Sequence, residues 1–193
     1  MVANLRTSGR LIASIGFAWI SILAIAAPAR AQLNSTESTA SLTAVLPESL
    51  TVTLVPNAVT FTLTSGSASN VGSVAIAATT TWTLGATRTG VTLYGYFSSA
   101  SAALVHTAAS NIVDIPSAKV EVSVNGGANA AFDQTVAFGA ASAGRQLFTQ
   151  AITVLNASGS RTDNLALNIN LSGYVLPADT YTGTLRIRAQ ATP

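Results

Sequence analysis

The stretch SLTVTLV at residues 49–55 decides the fold class. Its leucines and its first valine alternate with threonines, and because successive side chains of a β-strand point to opposite faces, one face is apolar and the other wet. The same alternation recurs at residues 118–124 and 180–190. Each Val, Leu or Ile buried in this way stabilises the fold by about 1.5–3 kcal/mol. The pattern predicts an all-β protein.

Further short runs rich in β-branched residues follow one another along the chain, separated by turn residues at intervals of about 8–12 residues. They predict an Ig-like antiparallel β-sandwich of about 8–10 strands that occupies residues 42–193 as a single domain. One alanine-rich stretch, residues 98–110, is the only segment expected to form a short helix. The other candidate strands are residues 58–64, 71–78, 80–85, 90–98, 131–138, 146–156 and 164–173.

The first 31 residues have the features of a signal peptide. Arg6 and Arg10 precede an apolar stretch at residues 11–28, and Ala29-Arg30-Ala31 places small residues before a cleavage site. A membrane anchor is the alternative, because the apolar stretch just reaches spanning length, although Ser14, Gly16 and Ser21 interrupt it. We therefore predict cleavage after Ala31, followed by a flexible polar leader at residues 32–41 and a location in the periplasm, on the cell surface or outside the cell.

Charge and cysteine content exclude several classes of function. The chain has nine basic and seven acidic residues, but three of the bases lie in the first 31, so the exported part carries six bases against seven acids. Such a balance does not favour nucleic-acid binding, which usually needs a clustered basic face, and we expect no membrane association after cleavage. The absence of cysteine excludes disulfides, thiolate zinc sites and thiol catalysis.

The sequence contains no recognisable catalytic, cofactor or metal motif. His106 is the single histidine, and no Gly-x-Ser-x-Gly elbow accompanies it. The seven carboxylates are scattered over turns and strand surfaces, and only Asp163-Asn164 with Asp179 offers a weak combination for calcium. We therefore predict that the protein is not an enzyme and needs no cofactor.

The C-terminal stretch from Leu176 to Gln190 carries a resemblance to a known family. Its matching residues are Pro177, Ala178, Thr180, Tyr181, Gly183 and Thr184, with Asp179 where glycine is usual. This ending resembles the terminal strand of spore coat protein U-like domains and of the related pilin-like domains of chaperone-usher systems. The resemblance implies a subunit that lacks one strand and accepts an extended segment from a neighbour, with other copies of itself or a periplasmic chaperone as partners.

A strand donor and a sugar-stacking surface are the two candidate sites. Residues 41–46 follow the leader and alternate Leu42, Ala44 and Leu46, which makes them the candidate donor strand. The alternative function is a secreted carbohydrate-binding module that stacks sugars on Trp82, Tyr94 and Tyr96, although the alternating position of Trp82 favours the core. The leading hypothesis is an exported structural or adhesive surface protein, such as a pilus or coat subunit that assembles by strand addition.

Overall fold

The computed structural model describes residues 33–134 and 144–193. The chain divides into two compact units, Met1–Thr43 and Ala44–Pro193. In the described part of the first unit, residues 33–43 belong to no helix or strand and their side chains are exposed. The predicted signal peptide at residues 1–31 lies outside the described residues and stays a prediction.

The described part of the second unit contains ten strands and no α-helix. A five-stranded sheet has the order β1-β2-β8-β5-β6, a three-stranded sheet has the order β10-β3-β7, and β4 pairs with β9 alone. Every pairing is antiparallel. The elements are β1 (Ser49–Val55), β2 (Ile76–Thr83), β3 (Gly90–Tyr96), β4 (Leu104–His106), β5 (Val120–Val124), β6 (Ala130–Ala131), β7 (Arg145–Ala151), β8 (Ser158–Ile169), β9 (Tyr181–Gly183), β10 (Arg186–Thr192) and a 3₁₀ turn at Ser117–Lys119.

Both large sheets contribute side chains to one apolar core. Trp82 and Leu165 come from the five-stranded sheet, and Leu93 and Phe148 from the three-stranded sheet. The guanidinium of Arg161 on β8 lies 4.6 Å from the ring centre of Phe148 on β7, so the two sheets are in direct contact. The all-β prediction is confirmed, and the shared core is consistent with the predicted sandwich.

Two strands differ from their predicted bounds because polar residues occupy inward positions. The segments predicted at 71–78 and 80–85 both overlap one continuous strand, β2 (Ile76–Thr83), with Thr80 fully buried in its middle. Strand β8 begins at Ser158, six residues before the predicted start at 164, since its early inward positions include Arg161 and Asp163 instead of apolar residues. An apolar alternation therefore misses the start of β8 and does not show that β2 is continuous.

The prediction of a helix in residues 98–110 is wrong. Within that stretch Leu104–His106 forms β4, which pairs with β9, and the backbone of Leu104 also exchanges hydrogen bonds with Ile115. Partners distant in sequence thus satisfy the backbone groups that a helix would have satisfied internally. Residues 58–64 were predicted as a strand but contribute only the isolated bridge between Phe61 and Gly72. The predicted strand at 131–138 lies partly outside the described residues.

Candidate functional site

Strands β1 and β10 are the end strands of the two large sheets, and in the described part of the chain no further strand pairs with their outer edges. Their inward apolar side chains are only half-buried, whereas those of the central strands β5 and β8 are almost all buried. The core is therefore incompletely covered along these two edges. The half-buried residues are Leu50, Val52 and Leu54 in β1, and Ile187, Ala189 and Ala191 in β10.

A groove of about 700 Å³ lies at this uncovered part of the core. Residues 54–63, from the end of β1 onward, form one wall, and residues 179–185, which lead into β10, form the other. Apolar side chains lie between the walls, among them Ile76 of β2, Ile169 of β8 and Phe97, which directly follows β3. The volume falls in the range of small-molecule sites, but the position between two strand edges also suits an extended peptide.

Asn70 anchors the segment that continues the first wall to the end of β8. Its buried side chain accepts a hydrogen bond from the Thr64 N–H at 2.6 Å and donates one to the Ile169 carbonyl at 2.8 Å. The Asn70 N–H donates to the side chain of Asn168 at 2.9 Å. All these buried polar groups are satisfied, so this wall is fixed by specific hydrogen bonds although it contains no regular strand.

The pair β4–β9, which we call the clasp, lines the groove at its second wall with Leu104 and Tyr181–Gly183. Asp179, just before β9, accepts hydrogen bonds from the Thr107 hydroxyl, the Ala108 N–H and the Asn111 side chain. Asn111 also donates to the Tyr181 hydroxyl at 2.9 Å. The hydrogen bond from the Asn111 side chain is the main cause that lowers the pKa of Asp179 to about 2.

His106 and Asp114 form a second polar contact in the clasp. The His106 Nδ1 lies 2.7 Å from the Asp114 carboxylate, and the His106 N–H donates to the same oxygen at 3.1 Å. The hydrogen bond from that backbone N–H is the main cause that lowers the pKa of Asp114. The single histidine thus holds a loop in place, and no nucleophilic serine accompanies it in these contacts.

The lowered pKa predicts an acid-sensitive clasp. A carboxylate whose folded-state pKa lies near 2 instead of 3.8 contributes stability that is fully present above about pH 4 and is lost as the pH falls toward 2. We expect the thermal midpoint of the wild-type chain to fall more steeply between pH 4 and 2 than that of Asp179→Asn, measured by far-ultraviolet circular dichroism. Asp133→Asn, at an exposed carboxylate, is the control and should follow the wild type; parallel curves for Asp179→Asn would contradict the prediction.

The predicted site residues lie in three different settings. Leu42 and Leu46 are 93% and 82% exposed and, like Ala44, belong to no strand. Trp82 is 4% exposed and its indole N–H donates to the Asn156 carbonyl at 2.9 Å, so its ring offers no free face to a sugar. Trp82 therefore has to be removed from the candidate stacking surface. The remaining two, Tyr94 and Tyr96, lie half-buried on β3.

Asp163, proposed for calcium, is engaged by Arg161 and Asn125, and residues 33–134 and 144–193 contain no cluster of three His, Cys, Asp or Glu side chains arranged to hold a metal. In those same ranges no helix has both the length and the apolar character required to cross a membrane.

No family model matches the chain, and no curated protein or solved structure matches it either. The resemblance of residues 176–190 to spore coat protein U-like and pilin-like domains therefore stays a prediction from the sequence. A functional assignment depends on the groove between residues 54–63 and 179–185, on the exposed segment that precedes β1, and on the surfaces of the two sheets.

Proposed function

We propose that this chain is an exported structural or adhesive subunit that assembles by strand addition, with the groove as the acceptor for an extended segment of another copy. The observation that carries the proposal is the apolar groove of about 700 Å³ between residues 54–63 and 179–185. An added strand would cover this apolar lining. The main-chain hydrogen bonds would supply affinity and the alternating pockets specificity.

The donor that we propose is the segment with Leu42, Ala44 and Leu46. Its apolar residues alternate with the period of a strand and are exposed in the single chain, so burying them in a groove would be favourable by about 1.5–3 kcal/mol for each leucine. The segment lies directly before β1 in the chain, and only Pro47 and Glu48 separate Leu46 from Ser49.

The short connection favours donation to a different copy. The step from Leu46 to Ser49 spans at most about 10 Å, whereas Leu54, where the wall begins, lies about 17 Å along β1 from Ser49. Leu46 is therefore held near the first residue of β1, and the three alternating residues can enter the groove together more readily in another copy. A neighbouring copy has no such restriction, and a periplasmic chaperone would be the alternative occupant of the groove before assembly.

Intermolecular disulfides test the proposal sharply, because the chain has no cysteine of its own. Chains with Ala44→Cys are mixed under mild oxidation with chains that carry Leu54→Cys, Leu63→Cys or Leu185→Cys, three positions along the groove. We expect a disulfide-linked heterodimer with at least one of them. Thr81→Cys, exposed on β2 away from the groove, is the matched control and should give little product.

Deletion of residues 32–47 is the second test of strand donation. We expect the exported chain to form oligomers in size-exclusion chromatography and the deletion variant to be a monomer with an unchanged circular dichroism spectrum. A wild-type chain that stays monomeric, or oligomers that survive the deletion, would contradict strand donation. Groove cysteines that react no better than Thr81→Cys would contradict the acceptor site.

A further inference from the structure

The register of β3 and β10 brings together two tyrosines and two arginines that are about 90 residues apart in sequence. Tyr96 lies directly opposite Arg186, and Tyr94 lies opposite Arg188. Directly opposed residues of an antiparallel pair have Cβ atoms about 4.5–5.5 Å apart. On the other side of β3, Gln146 of β7 is the partner of Tyr94. We call these five residues the Tyr–Arg patch.

The Tyr–Arg patch lies on the outer face of the three-stranded sheet. Leu93 and Ile187 pack on the core, so the residues next to them in each strand point away from it. The two arginines and Gln146 are exposed, and the two tyrosines are half-buried.

Positive charge is concentrated on this face. Strands β3, β7 and β10 contain no acidic residue. The outer face of β10 is thus positively charged, although the exported part of the chain has nearly equal numbers of basic and acidic residues.

We infer that the Tyr–Arg patch binds an acidic polysaccharide, with uronic acid as the recognised sugar. A planar guanidinium forms two parallel hydrogen bonds to a carboxylate, and a uronic acid offers that carboxylate beside an apolar ring face and several hydroxyls. The tyrosine rings supply the flat surface for the sugar ring, and Gln146 supplies an amide for its hydroxyls. This ligand would give the subunit an adhesive function independent of how it assembles.

Nucleic acid fits the same surface less well. Its affinity comes mostly from the neutralisation of many phosphates, and this patch offers two arginines. Single strands also stack bases on aromatic rings, so an oligonucleotide belongs in the experiment as the competing anion.

The test measures binding of the full exported chain to polygalacturonate by isothermal titration calorimetry, with dextran as the neutral polysaccharide and oligo(dT) as the other polyanion. We expect binding to polygalacturonate and none to dextran. Arg186→Gln with Arg188→Gln should weaken it at least about tenfold, because two charge-assisted contacts are lost. Tyr94→Leu with Tyr96→Leu, which keeps the charge and the apolar bulk, should also weaken it about tenfold.

Arg88→Gln with Lys119→Gln is the matched control, since it removes the same charge away from the patch, and it should change the dissociation constant by less than about twofold. Circular dichroism verifies that each variant is folded. The inference is overturned if polygalacturonate does not bind, if oligo(dT) binds as tightly, if the control weakens binding as much as the arginine variant, or if the tyrosine variant binds like the wild type.

Discussion

Asp163→Ala should destabilise the chain by about 1–3 kcal/mol, because it removes a buried carboxylate and the hydrogen bonds that Arg161 and Asn125 donate to it. The Asp163 side chain is 1% exposed and accepts two hydrogen bonds from the Arg161 guanidinium, the shorter at 2.7 Å. Asn125 donates a third hydrogen bond to the same carboxylate at 2.7 Å. Without Asp163 the guanidinium over the Phe148 ring keeps its charge but loses its counter-ion, and the Asn125 amide loses its acceptor.

Urea denaturation of the purified chain measures this effect. Asp133→Ala is the matched control, because its carboxylate is 74% exposed and lies 3.7 Å from Arg145, so the expected loss is within about 0.5 kcal/mol. Arg161→Met combined with Asp163→Leu removes both charges and should cost less than Asp163→Ala alone. Equal losses for Asp163→Ala and Asp133→Ala would show that the buried pair has no special role.

Gly183→Ala should open the clasp and destabilise the chain by about 1–3 kcal/mol, as expected for an added methyl group without space. A Cβ at this position would meet the carbonyl oxygen of Ala103, and it would also lie 3.1 Å from Leu104 Cγ. The Ala103 oxygen is a backbone atom, so rotation of a side chain cannot relieve the overlap. Pairing of β4 with β9 therefore requires glycine here, at the wall of the groove.

Amide hydrogen exchange locates the effect of this substitution. We expect faster exchange at Leu104–His106 in Gly183→Ala, with the central strands still protected. Gly90→Ala is the control, because its added Cβ would meet the rotatable Thr192 hydroxyl at 3.0 Å. Unchanged protection of β4 in Gly183→Ala would contradict the predicted requirement for glycine.

Where inward positions are apolar, the sequence alone is sufficient to predict strands. The predicted strand at residues 49–55 coincides with β1, and the one at 118–124 contains β5. Prediction failed at the start of β8, where Asp163 points inward, because a period of apolar residues cannot reveal a polar side chain that is buried with its hydrogen-bond partners. It also failed at β4, whose partner lies more than 70 residues away.

The candidate sites were only partly predictable, for the same reason. The alternating apolar segment before β1 is visible in the sequence, and so is the turn that leads into the last strand. The groove depends on which two strands remain at the sheet edges, and the Tyr–Arg patch depends on the register of β10 with β3. Pairing order and register are long-range properties that no local pattern of residues specifies.

The alternation within β10 has a thermodynamic consequence. Ile187 faces the core beside the groove, while its neighbours Arg186 and Arg188 belong to the opposite, outward surface. A polysaccharide bound to the outer surface would already restrict the motion of this strand. Binding of an incoming segment to the same strand would then cost less conformational entropy. By thermodynamic linkage, an added segment would strengthen polysaccharide binding by the same factor. Glycan attachment and polymer growth would therefore strengthen each other through a single seven-residue strand.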